Sequence, residues 1–287
     1  MPREFRRVGV VGLGTMGAGI AQVCVQAGLE TVGREVSSEL GERGRGRIEH
    51  YLSRGVEKGR LTAAERDAAL DRLQITTELS DLEGCDVVVE AIVEDLEAKR
   101  ALFRELEAVV PREAILATNT SALPVTELAR GVESPERVVG LHFFNPAPVL
   151  PLVEVVRTEL TADEPYDDAY AFAERIGKEP VRCADTPGFI VNRILIPLLN
   201  DCVRVLDEAG VAPEDMDKAM TAGANWPIGP CALIDLIGVD IHVHASEALH
   251  AALGEPRMAA PERLVRMRDE GLLGRKSGRG FFTYEKD

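Results

Sequence analysis

The sequence predicts an α/β unit followed by an all-helical one, and three observations carry that expectation. The chain opens with a Val-rich strand, a glycine turn, a helical pattern and a second strand, all within its first 36 residues. Further in, continuous apolar runs such as "CDVVVEAIV" have the character of parallel strands buried on both faces. After Pro187 the strands stop, and long helical patterns lead into a tail rich in Gly, Arg and Lys. The 287 residues, 45% of them hydrophobic, suit two domains better than one. The boundary falls near residue 184, giving domains 1–184 and 185–287.

The elements follow in order. "RRVGVV" is the first strand, "GLGTMG" the turn, a helix runs to Gly28, and "ETVGREV" is the second strand. Residues 36 to about 74 are charged and helix-forming; within them Thr62 is an N-cap and Glu65 completes a capping box. A helix over 95–109, a strand "AILATN" and a strand "RVVGLHFF" come next. In "DTPGFIVNRILIP" Pro187 stands in the first turn of a helix, with Asn192 one turn in. That helix, Pro187 to Glu208, is apolar nearly all round and is expected to be buried in a core or an interface, with Pro197 kinking or breaking it.

Composition excludes several classes. The formal charge is −15, an acidic surface that argues against nucleic acid or an anionic membrane as partner. The longest apolar stretch, "GFIVNRILIPLLN", falls short of the roughly 20 residues a membrane span needs. Five scattered cysteines show no metal-ligand spacing, so reduced thiols and no metal site are expected. The N-terminus runs almost directly into a strand, which leaves no room for a signal peptide, and a cytoplasmic location is expected.

The glycine turn gives the cofactor. Gly12, Gly14 and Gly17 stand in G-x-G-x-x-G spacing, and the turn as a whole, with Leu13, Thr15 and Met16, would present backbone amides to a pyrophosphate at a helix N-terminus. Glu35 follows Gly12 by 23 residues, near the spacing of about 20 expected of a carboxylate that accepts from ribose hydroxyls. This is a Rossmann-type dinucleotide-binding domain. Glu35 would repel a 2′-phosphate and so favours NAD, while Arg34 beside it leaves NADP as the minor option.

Catalysis points to "LHFFNPAPVLPLVEVV". A hairpin around the loop "NPAPVLP" has its midpoint at residue 148, which sets His142 opposite Glu154, close enough for the carboxylate to hold one imidazole nitrogen while the other moves a proton. The same pair also suits a core histidine held by backbone, with Glu154 reaching solvent at an edge. "ATNTSALP" leaves Asn119, Thr120 and Ser121 just after a buried strand, where ligands of open α/β sheets gather.

Seven segments, "GLGTMGAGIA", "VVVEAIVEDLEAKRALF", "ATNTSALP", "GLHFFNPAPVLPLVEVV", "DTPGFIVNRIL", "WPIGPCALIDLIGVD" and "GLLGRKSGRGFFTY", resemble in content and order the L-3-hydroxyacyl-CoA dehydrogenases, in their short monofunctional 3-hydroxybutyryl-CoA form. The resemblance covers essentially the whole chain. It implies NAD-dependent oxidation of an (S)-3-hydroxyacyl-CoA, with His142 as general base, Glu154 as its orienting partner, and Ser121 and Asn192 contacting the substrate C3 oxygen. It places Glu94 and Lys99 near the nicotinamide end of the cofactor, and it implies a homodimer through the helical domain. It also brings the helical insertion near the CoA nucleotide, where Arg54 and Lys58 could screen phosphates or an acidic carrier protein. Ala122 and Trp226 depart from the family pattern near the expected substrate region and bear on acyl-chain preference. Two other readings stay open: the same hydride transfer on a carrier-protein-linked 3-hydroxyacyl or glyceryl group, and a non-catalytic dinucleotide-binding redox sensor.

Overall fold

The computed structural model describes residues 3–285. The chain divides into two compact units, 1–186 and 187–287. In the first, one sheet is built from β1 (Arg7–Val11), β2 (Glu30–Arg34), β3 (Leu73–Thr76), β4 (Val87–Glu90), β5 (Ile115–Thr118), β6 (Val138–Phe143), β7 (Leu152–Arg157) and β8 (Glu179–Ala184). Their order is 3-2-1-4-5-6-7-8. Strands β1 to β6 are parallel, β7 runs antiparallel to β6, and β8 parallel to β7. The order reverses between β1 and β4, so a crevice opens beyond their carboxyl ends.

Helices α1 (Thr15–Gln26), α2 (Ser38–Glu57), α3 (Ala63–Asp71), α4 (Leu96–Val109), α5 (Val125–Ala129) and α6 (Asp163–Arg175) connect the strands. The middle of the sheet is buried on both faces: Val87, Val88 and Val89 of β4 and Ile115, Leu116 and Ala117 of β5 are closed to solvent. Each such large aliphatic contributes about 1.5–3 kcal/mol by leaving water. The capping box at the start of α3 is present, with the Thr62 hydroxyl accepting from Glu65 N–H and the Glu65 carboxylate accepting from Thr62 N–H.

Two strands escape the sequence reading. β3 begins at the end of the stretch read as helical, and β8 lies where the sequence assigned no element. Both are edge strands, half solvated, so "LQIT" and "EPVRCA" carry no apolar run; Pro180 and Arg182 are edge residues of the kind that blunt further pairing. The second strand also stops at Arg34 rather than Val36.

The second unit consists of α7 (Val191–Ala209), α8 (Pro213–Ala224), α9 (Pro230–Ile237), α10 (Val239–Leu253) and α11 (Glu262–Asp269) around Leu199, Val203, Ile234, Val243 and Leu264. Here the expectation for Pro187 is corrected. Gly188 and Phe189 take positive φ, 76° and 52°, so Pro187–Ile190 is a turn, and Asn192 is the second residue of α7. Nor does Pro197 break the helix, which continues through it. Burial is one-sided as well: Ile196, Leu199, Val203 and Leu206 are buried, whereas Ile194 and Val205 are 62% and 50% exposed. The buried Asp235 carboxylate accepts from Phe281 N–H, Phe282 N–H and the Tyr284 hydroxyl, pinning the tail. All five cysteines are buried and unbridged. Among the described residues no helix is long and apolar enough to cross a membrane, and no group of side chains has the make-up of a metal site.

Candidate active site

The functional side chains of the first unit collect at the carboxyl ends of β1, β4, β5 and β6. At β1, Gly12 has φ 88°, a conformation glycine adopts without strain, and a Cβ there would meet Ala91 O at 2.7 Å. Gly17 is tighter still, since an added Cβ would fall 1.7 Å from Gly12 O. Gly14 is different: a Cβ there would meet no protein atom within 4 Å. The chain's own packing therefore does not demand glycine at 14, whereas close approach of a ligand would. Gly14 is also the N-cap of α1, and no side chain caps that helix. An uncapped helix end of this kind suits a diphosphate. Glu35 lies against the turn, accepting from Leu13 N–H at 2.6 Å and from Val36 N–H at 3.1 Å. Leu13 itself does not face the crevice; its side chain is buried in the space left by Gly33 and Gly44. Arg34 is turned to the Thr77 carbonyl.

At the ends of β4 and β5 an ion cluster supports the site. The Lys99 ammonium, 1% exposed, lies 2.6 Å from the fully buried Glu90 and 3.2 Å from Glu94. Glu90 also accepts from Ile92 N–H and the Thr118 hydroxyl, both at 2.7 Å. Glu94 accepts from the Thr120 hydroxyl, Ser121 N–H and Ala122 N–H, so it holds the segment that carries Ser121. Burial pushes the Glu94 pKa up, but Lys99, Thr120 and Ser121 outweigh it and keep the carboxyl below its ordinary value. Lys99 is thus the anchor beneath Glu94.

At the end of β6, His142 faces Glu154 in the β6–β7 register, with Nδ1 2.7 Å from Oε2. His142 is buried and Glu154 fully so. The Phe144 ring packs on the imidazole, centroids 4.6 Å apart. The Asn119 side-chain oxygen accepts from Phe143 N–H at 2.9 Å, which ties the end of β5 to the residue after His142.

Comparison with known proteins gives the family. Residues 7–186 match the family model of the 3-hydroxyacyl-CoA dehydrogenase NAD-binding domain, and residues 188–284 that of its C-terminal domain. The chain belongs to the 3-hydroxyacyl-CoA dehydrogenase family. It is an NAD-dependent oxidoreductase. It is 45% identical to a 3-hydroxybutyryl-CoA dehydrogenase of Mycobacterium tuberculosis over 286 residues, 99% of this chain and 100% of that one. The crystal structure of M. tuberculosis FadB2 superposes with a TM-score of 0.96 at 44% identity, covering 99% of this chain and 100% of that one. The (S)-3-hydroxybutyryl-CoA dehydrogenase PaaH1 of Ralstonia eutropha gives 0.93 at 38%, with 99% and 100% covered.

The other expected residues of this dehydrogenase are each placed within their own unit. Ser121 is exposed, its N–H given to Glu94. Asn192 belongs to the second unit and is half-buried. Arg54, near the end of α2, and Lys58, its C-cap, are exposed. Sequence reasoning missed Glu90, although its signal, one carboxylate inside an apolar run, is the same that exposed Glu154. It also missed Lys178, which nothing in "IGKEPV" sets apart from a surface lysine.

Proposed function

We propose that the chain oxidises short (S)-3-hydroxyacyl-CoA thioesters reversibly to 3-oxoacyl-CoA, with NAD rather than NADP, by general-base catalysis from His142. The observation that carries this reading is the 2.7 Å contact between His142 Nδ1 and the buried Glu154 carboxylate, at the carboxyl end of β6, the end of such sheets where ligands bind. A buried carboxylate accepting the Nδ1 proton leaves Nε2 as the nitrogen that takes the C3 hydroxyl proton. In the reverse direction the imidazolium returns it, and Glu154 stabilises that charged form. Such proton transfer is typically worth ~10²–10⁴ in rate. NAD, when bound, accepts the C3 hydride. The Ser121 hydroxyl is read as a donor to the C3 oxygen as charge develops there, and Asn192 as the substrate-binding amide of the second unit.

Support for NAD comes from Glu35 beside the glycine turn, and Arg34 Nε is directed to the Thr77 carbonyl. Short-chain preference rests on relatives named for 3-hydroxybutyryl-CoA. The exposed Arg54 and Lys58 are assigned to the phosphates of CoA. Outward apolar side chains of the second unit, among them Ile194 and Val205, suit a homodimer, and the five unbridged cysteines suit the cytoplasm. The test is NADH formation from (S)-3-hydroxybutyryl-CoA beside NADP⁺ and a carrier-protein-linked substrate. Turnover of the CoA ester with NAD⁺ is expected. Activity on the carrier-linked substrate alone would move the enzyme to carrier-bound chemistry, and silence on both would defeat the reading.

A further inference from the structure

The loop that joins the two catalytic strands is short of donors. Residues 144–151 lead from Phe143 at the end of β6 to Leu152 at the start of β7, and three of the eight, Pro146, Pro148 and Pro151, have no N–H. Val149 N–H and Leu150 N–H both go to Pro146 O. The carbonyls of Ala147 and Leu150 are met from outside the loop. Lys178 Nζ donates to both, at 2.5 and 3.0 Å, and Glu179 N–H donates to Pro151 O at 2.8 Å.

Lys178 is an unusual choice for that work. It is 9% exposed, and among the described residues its ammonium makes no ion pair. Its titratable neighbour Cys24 is itself fully buried, with a thiol pushed up to about 12, and so carries no charge to balance it. Burying an ammonium against carbonyl dipoles alone is costly, and burial pushes its pKa down. A neutral side chain would close the same space at lower cost.

The loop also packs against α1. A Cβ at Gly19 would lie 3.1 Å from Pro148 Cδ and 3.2 Å from Ala147 Cβ. Ala147 therefore meets the helix that starts at the glycine turn through its side chain and the Lys178 ammonium through its carbonyl. Because loop length and geometry set hairpin register, displacing this segment acts on the pairing of His142 with Glu154. We infer that Lys178 is a positioning residue, whose bonds to the Ala147 and Leu150 carbonyls hold the β6–β7 loop against α1 and so fix the His142–Glu154 pair in its catalytic geometry. This rests on the reading of His142 as general base.

The experiment is a double-mutant cycle on turnover of (S)-3-hydroxybutyryl-CoA, with NADH binding read separately by fluorescence. Lys178→Met keeps the length of the stem and removes the donors. Expected is a kcat at least tenfold below wild type, with NADH affinity within about threefold. In a Glu154→Gln background the same change costs less than about twofold, because the pair it positions is already lost. A Lys178→Met enzyme with near-wild-type kcat overturns the inference, as does an equal loss in both backgrounds, which marks general destabilisation. Should Lys178→Met fail to fold, Gly19→Ala presses on Ala147 and Pro148 from α1. A lowered kcat at an unchanged melting temperature is expected, and full activity overturns the inference. If His142→Ala turns over like wild type, it is the general-base reading that falls, and the cycle separates the two.

Discussion

His142 and Glu154 sit directly opposite each other on antiparallel strands, Nδ1 2.7 Å from Oε2, with the carboxylate fully closed to solvent. A charge so buried is tolerated where a partner and hydrogen bonds hold it. His142→Ala should lower kcat by about 10²–10⁴, the usual worth of a general base, and leave NADH affinity nearly unchanged. Glu154→Gln should cost kcat more than KM. Steady-state kinetics with a separate NADH titration checks both, and a wild-type kcat in either variant refutes the assignment.

Glu90 and Glu94 share one ammonium, so removing it strands two carboxylates. Lys99→Met leaves Glu90 buried without its counter-ion, a change typically costing about 3–5 kcal/mol. A fall of many degrees in melting temperature is expected near neutral pH. Lys99→Met combined with Glu90→Gln should recover much of it, which thermal denaturation measures.

Glu35 lies on the glycine turn through Leu13 N–H. Glu35→Ala removes the charge that would oppose a 2′-phosphate and should raise kcat/KM for NADP⁺ relative to NAD⁺ by tenfold or more. An unchanged ratio would show that cofactor choice lies elsewhere.

His242 gives the second unit a pH dependence. Its Nε2 lies 2.8 Å from the Asn200 side-chain oxygen, while its buried Nδ1 has no hydrogen-bond partner among the described residues. Protonation would put an unmatched N–H and a charge at Nδ1, and burial lowers the pKa from 6.5 to about 4. The unfolded chain then binds the extra proton first. The cost is absent above about pH 6.5, grows as pH falls, and is complete near pH 4 at about 3 kcal/mol. Glu94 acts lower: its depressed pKa means a stabilising contribution present above about 4.5 and lost below its folded value. Urea melts from pH 7 to 4 should show the first effect in wild type and lose it in His242→Gln.

What the sequence made legible follows from where its signals are strongest. A glycine turn between strand and helix, and apolar runs buried on both faces, have few alternative explanations, so β1, β4, β5, β6 and the His142–Glu154 register could be read directly. Edge strands β3 and β8 could not, because half their side chains face water and neither run is apolar. The start of α7 misled for a different reason: a proline followed by glycine looks like a first turn, but positive φ at Gly188 and Phe189 delays the helix to Val191. Lys178 was opaque, and so was the burial of Lys99, which only the resemblance singled out, since nothing local distinguishes a buried lysine from a solvated one; only the carboxylates and carbonyls that surround them do.

The cysteines, all shut inside, leave the protein without a reactive handle. Their thiols stay protonated because burial raises their pKa values, and only thiolates react readily with alkylating reagents. One cysteine introduced at the 67% exposed Val149 would therefore take a fluorophore alone among the chain's sulfurs. Its emission would follow the loop between the two catalytic strands as ligands bind, without stripping any native residue first.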